Sequence, residues 1–172
     1  GGATRAIMKP SPFPAVRPYP LLGLDPEQLW PLTNLVLPAW LLLAFLPSWR
    51  RTMTLSLLPA LIYSVLYAIC IADFFTSAVN GPPDFTTLSG VVRLFQDPNG
   101  VFAGWLHYLA FDLLLGRWMV QDSQARGCSL VAHVLFVIPC LLATLMAGPA
   151  GFILYVIVSC TVLPRRTLTK ID

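Results

Sequence analysis

The run Val101–Gln121, VFAGWLHYLAFDLLLGRWMVQ, decides how this chain is read. As a helix it extends about 30 Å, the thickness of a bilayer hydrocarbon core. It carries His107, Asp112 and Arg117 through an otherwise apolar stretch. A charge at Asp112, near the middle, costs about 3 kcal/mol unless it is paired, protonated or hydrated, so something must compensate it. At 100° per residue, Trp105, Tyr108, Asp112 and Gly116 fall within about 80° of one another, whereas His107 lies about 140° from Asp112 and Arg117 a further 140° round. The three ionisable residues therefore do not form one site on one face, and Tyr108 is the better-placed neighbour of Asp112. Arg117, close to the helix end, reads as an anchor that snorkels to the interface.

The rest of the chain agrees with a membrane setting. Of its 172 residues, 56% are hydrophobic and 11% charged, against about 25% charged in a soluble domain. The expected fold class is all-α: a polytopic membrane protein of four or five transmembrane helices with one interfacial amphipathic helix. The spans are read at 28–46, 55–79, 101–121, 129–147 and 150–163, within a single membrane domain covering 25–164. Pro38 should kink the first. The run from Ser129 to Leu163 is too long for one crossing and must break at Gly148, Pro149, Ala150 and Gly151. A full reversal there gives five spans; a re-entrant or tilted last piece gives four. Residues 84–97 repeat apolar positions at Phe85, Leu88, Val92 and Phe95 behind Asp84 as a cap, and predict the interfacial helix, ending at the Asp97, Pro98, Asn99, Gly100 turn.

An extended arm is expected over 1–24, where Pro10, Pro12, Pro14, Pro18 and Pro20 remove backbone donors. A basic tail follows at 165–172. The chain begins on Gly1 rather than methionine, as the trimmed end of a precursor or an arbitrary start would. The formal charge of +3 is scattered, which suits membrane lipids rather than a phosphate backbone, so no nucleic-acid partner is expected. The cysteines at 70, 128, 140 and 160 show no CxxC pairing, and no metal site is read. A Gly-rich phosphate loop, HExxH, GxSxG and paired carboxylates are all missing from the sequence.

Candidate chemistry rests on Asp112 with Tyr108 or His107. Tyr63, Tyr67, Trp105, Phe111 and Trp118 form a candidate lining for a long apolar ligand, and His107 and His133 are candidate pigment ligands.

The stretch Trp105, His107, Tyr108, Leu109, Ala110, Phe111, Asp112, Leu113, Gly116, Arg117, Trp118, followed by Pro139, Cys140, Leu141, Leu142 and by Gly148, Pro149, Ala150, Gly151, resembles the abscisic-acid-deficient-four-like family of membrane proteins. The resemblance implies a plastid membrane protein, in thylakoid or envelope, needed to convert violaxanthin to neoxanthin; related bacterial proteins would place it in an inner membrane. Turning an epoxide end group into an allene requires a base for a carbon-bound proton and an acid for the epoxide oxygen. Carotenoid is then the substrate, and no cofactor is required for an isomerisation. The competing reading is a non-enzymatic pigment- or lipid-binding subunit of a photosynthetic membrane complex. There His107 or His133 would ligate chlorophyll, and the proline-rich arm would lie along partner subunits. A transporter is a third reading, with only one central acid behind it.

Overall fold

The computed structural model describes residues 15–76 and 83–165, and they form six helices. They are α1 (Pro26–Phe45), α2 (Thr52–Thr76), α3 (Leu88–Leu94), α4 (Pro98–Ala125), α5 (Leu130–Ala147) and α6 (Pro149–Thr161). Three of them, α1, α2 and α5, are long and apolar enough to cross a membrane. The chain is accordingly a helical membrane protein.

Helix α4 is the axis of the bundle. Its 28 residues rise about 42 Å, more than the 21-residue span expected. The difference lies at its start: Asp97 accepts from the Asn99 N–H at 3.0 Å and Pro98 fills the first helical position, so the expected turn at 97–100 is instead a cap and the opening of the helix. Asn99, Asp112, Arg117, Asp122 and Ser123 are all buried. A helix this polar lowers its mean hydropathy but is tolerated where protein, rather than lipid, receives the polar groups.

α1 opens with a capping box between Asp25 and Gln28. It then tightens to a 3₁₀ stretch over Trp30–Leu35 ahead of Pro38. Tyr63 of α2, fully buried, donates its hydroxyl to the Thr33 carbonyl at 2.9 Å and meets Leu32 O at 3.2 Å, which satisfies carbonyls that a regular α-helix would have used. α2 runs antiparallel to α4: Ser56 lies against Arg117 and Tyr67 against His107.

α5 and α6 form a hairpin. Gly148, with φ +39°, turns the chain between them. A Cβ on Gly151 would lie 2.2 Å from Thr144 N, so the two legs approach at backbone distance. At the open end, Arg126 Nε donates to Asp122 at 2.6 Å, Tyr155 OH donates to the same carboxylate at 2.9 Å, and Arg126 reaches Ser159 O at 3.2 Å. The break is thus a full reversal, but the apex meets α4 near its midpoint: Gly148 abuts Asp112, and Leu145 O accepts from Tyr108 at 3.2 Å. Above Tyr108, α4 continues for about 15 Å without the hairpin beside it. α5 also carries a π-helical turn, His133–Val137, just before Pro139.

The expected interfacial helix over 84–97 shrinks to α3, Leu88–Leu94. Thr87 is its N-cap, accepting from Gly90 N at 3.1 Å, while Asp84 caps from outside by accepting the Thr87 hydroxyl at 2.6 Å and the Thr86 hydroxyl at 2.7 Å. Those bonds hold the Asp84 carboxyl down at about 2, below its usual 3.8. The arm is likewise not simply extended. Tyr19 N donates to Leu24 O at 2.9 Å across a turn with Gly23 at φ +63°, and the Tyr19 side chain is fully buried. Burial pushes its phenol well up. Arg17 pairs with Asp97 at 3.1 Å and exchanges backbone bonds with the Asn99 side chain, which docks the arm on the start of α4. Pro10, Pro12 and Pro14, the expected end of the second span at 77–79, and most of the basic tail lie outside the described residues.

Candidate functional site

The rotation of α4 separates two polar centres. On one face, Asp112 is 8% exposed and its Oδ2 has no hydrogen-bond partner. Gly148 sits against the other oxygen, where a Cβ would come within 2.9 Å of Oδ1. Gly148 both ends α5 and begins α6, so the carboxylate packs against the turn where the two helix ends meet. Tyr108, one turn back on the same face, donates its hydroxyl to Leu145 O at 3.2 Å.

From Tyr108 a row of rings leads away along the uncovered part of α4. Tyr108 stacks on Trp105 with centroids 5.5 Å apart, Trp105 stacks on Trp30 at 5.9 Å, and Trp30 meets Phe102 at 6.4 Å. Trp30 and Trp105 are 48% and 40% exposed, so this track opens on the side of the helix bundle. At its far end is a cavity of about 450 Å³ bounded by Val16, Glu27, Trp30, Phe95, Val101 and Phe102.

On the opposite face, His107 stacks against Phe111 at 4.6 Å and tilts against Tyr67 at 5.2 Å. His107 and Tyr67 face a second cavity, of about 420 Å³, between α2, α3 and α4, which is otherwise lined by apolar groups such as Phe74, Phe75, Phe85 and Phe95.

The structure therefore gathers Trp105, Tyr108 and Asp112 on one side and Tyr67, His107 and Phe111 on the other. Trp118 joins neither; it packs on Phe152 and Tyr155 of the hairpin at 5.8 and 5.5 Å. Tyr63 is committed to α1 carbonyls. His133 is 2% exposed, with its Nε2 3.1 Å from Ala44 O, and lines neither cavity. Arg117 does not snorkel: at 8% exposure its guanidinium turns inward to donate to Met53 O and to Ser56 Oγ, the latter at 2.6 Å. Trp30 and Leu145 are parts of the Asp112 centre that sequence reading missed, since neither contact leaves a local signal. Gly148 is read from the sequence as a break and as part of the family resemblance, and its lack of a Cβ is what allows the close approach to Asp112. Trp40 also belongs to this neighbourhood: its ring fills the space over Gly116, where a Cβ would sit 2.6 Å away, and its Nε1 is buried without a partner.

Compared with known proteins, residues 28–155 match the family model described as ABA DEFICIENT 4-like. No curated protein and no solved structure matches the chain.

Proposed function

Because the chain belongs to the ABA DEFICIENT 4-like family, which is associated with neoxanthin synthesis, we propose that it converts an epoxidised xanthophyll to its allenic isomer within a plastid membrane. The observation that carries this reading is the Asp112 centre. A buried carboxylate with one unpartnered oxygen stands one turn from a phenol, at the inner end of an aromatic track open on the side of the helix bundle.

In this reading the polyene enters along Trp30 and Trp105, and its epoxide end group reaches Tyr108 and Asp112. Asp112 takes the proton from the vinylic carbon beside the epoxide-bearing ring carbon. The electron pair of that C–H bond becomes the second double bond of the allene as the ring carbon–oxygen bond opens, and Tyr108 protonates the leaving oxygen, which stays attached as a hydroxyl. The proton on Asp112 then passes to the Tyr108 phenolate, restoring both groups. Atoms and electrons balance, so no redox cofactor is required. Asp112 and Tyr108 are the pair in this scheme; His107 faces the other way.

The hairpin fits the same scheme: its turn holds Gly148 against Asp112, and its open end lies on the side of the Pro47 loop, where Gln124 reaches Pro47 O and Arg126 reaches Ser159 O. Arginine clustering makes that side cytosolic or stromal. The pigment-holding subunit remains a second reading because the His107 imidazole lines an apolar cavity without a hydrogen-bond partner among the described residues.

The test is reconstitution of the purified chain with violaxanthin in liposomes lacking nicotinamide and flavin. Neoxanthin should accumulate, and in D₂O the product should carry no carbon-bound deuterium, because the step removes a C–H proton and protonates only oxygen. Tightly held, unconverted carotenoid or chlorophyll would instead support the pigment-holding reading.

A further inference from the structure

The cavity beside His107 takes no part in the scheme above, yet it is built with care. Gly100 and Gly104 stand one turn apart on α4 facing α3. A Cβ on Gly100 would fall 2.4 Å from Leu94 O, and one on Gly104 would fall 2.8 Å from the Phe95 ring. The two glycines thus form the notch in which the end of α3 and Phe95 seat as a roof. Below that roof, His107 and Tyr67 are the polar side chains of the lining, and both make ring contacts but no hydrogen bond among the described residues.

Three properties define the occupant. His107 is exposed at the mouth of the cavity and Tyr67 half-buried, and neither has a hydrogen-bond partner among the described residues, so the lining favours an occupant with a small group that can both donate and accept. The lining contains no Lys or Arg, which disfavours a phosphate or carboxylate. Its volume of about 420 Å³ falls toward the lower end of the roughly 300–1,000 Å³ usual for small-molecule sites and suits one ring rather than a macrocycle with a tail. Phe75, Phe85 and Phe95 are 60%, 59% and 54% exposed, so the approach is from the bilayer.

We infer that this cavity is a second ligand site, on the opposite face of α4 from Asp112, which takes the hydroxylated carbocyclic end of a membrane-dissolved isoprenoid, with His107 and Tyr67 holding the hydroxyl. The site does not depend on the reaction assigned to Asp112, and its test uses probes that have no epoxide to convert.

Equilibrium binding of 3-hydroxy-β-ionone and of β-ionone to the full chain in nanodiscs separates the possibilities. The hydroxylated ring should bind about tenfold more tightly, the value of roughly one hydrogen bond. His107→Phe, which keeps the ring stack, should abolish that preference while leaving β-ionone binding unchanged, and Tyr67→Phe should reduce it about threefold. Asp112→Asn should leave both affinities as they are. The inference is overturned if the wild type shows no preference for the hydroxyl, if the preference survives both His107→Phe and Tyr67→Phe, or if Asp112→Asn removes it. Thermal unfolding of each variant establishes that it is folded before binding is scored.

Discussion

The Asp112 face of α4 and its His107 face differ in what covers them. The hairpin closes over Asp112, so a carboxylate that would be intolerable against lipid is walled in by protein, with the Gly148 turn against one oxygen and Tyr108 bonded to Leu145 O beside it. His107 has only the short α3 above it and aromatic rings on either side. One helix can carry both because its 3.6-residue period sends His107 and Asp112 to different neighbours. In this account the covered face does chemistry and the thinly covered face binds.

The sharpest way to break this division is to remove the phenol alone. Tyr108→Phe keeps the stack on Trp105 but deletes the proposed acid, and turnover of violaxanthin should fall by about 10²- to 10⁴-fold, measured by chromatographic analysis of pigments from proteoliposomes. A loss of less than about threefold would mean that another group protonates the epoxide.

A second variant addresses the cover. Gly151→Ala puts a methyl 2.2 Å from the Thr144 backbone, where no side-chain motion relieves it. The hairpin legs must part, at a cost of about 1–3 kcal/mol. The expected result is a lowered thermal midpoint with a parallel loss of conversion, while binding at the His107 cavity is spared.

The smallest expected effect concerns the roof of that cavity. The Thr87 and Thr86 bonds hold Asp84 at about 2, below its ordinary 3.8, so its contribution to the α3 start is complete above the unfolded value and is lost as the pH falls through about 2. A nitroxide on Ser89→Cys should report constant mobility down to about pH 4 and faster motion near pH 2. Asp84→Asn should show the fast spectrum at every pH.

Much of this was legible in the sequence, for identifiable reasons. Apolar runs marked the long helices, because the demand to bury backbone groups in hydrocarbon leaves few alternatives. The grouping of Trp105, Tyr108 and Asp112, with His107 elsewhere, followed from helical angles and holds in three dimensions. Gly148 to Gly151 marked the break, and the structure makes it a hairpin turn. What failed was what depends on distant partners. Phe85 and Phe95 extended the apolar period and suggested a helix over 84–97, but both rings turn to the cavity and α3 stops at Leu94. Asp97 and Pro98 carry the same signature in a turn as in a helix start, and only the docking of Arg17 on Asp97 and Asn99 shows which applies. Arg117 turns inward because carbonyl and hydroxyl acceptors of α2 lie beside it, a contact 61 to 64 residues away in sequence. The stack of Trp30 on Trp105 has no sequence signature at all.

The division of labour on α4 is tested most directly by assaying Asp112→Asn and His107→Phe side by side for conversion of violaxanthin in the same proteoliposomes. The account predicts that Asp112→Asn loses about 10²- to 10⁴-fold in turnover while His107→Phe stays within about fivefold of the wild type. Equal losses in both variants, or full activity in Asp112→Asn, would contradict it.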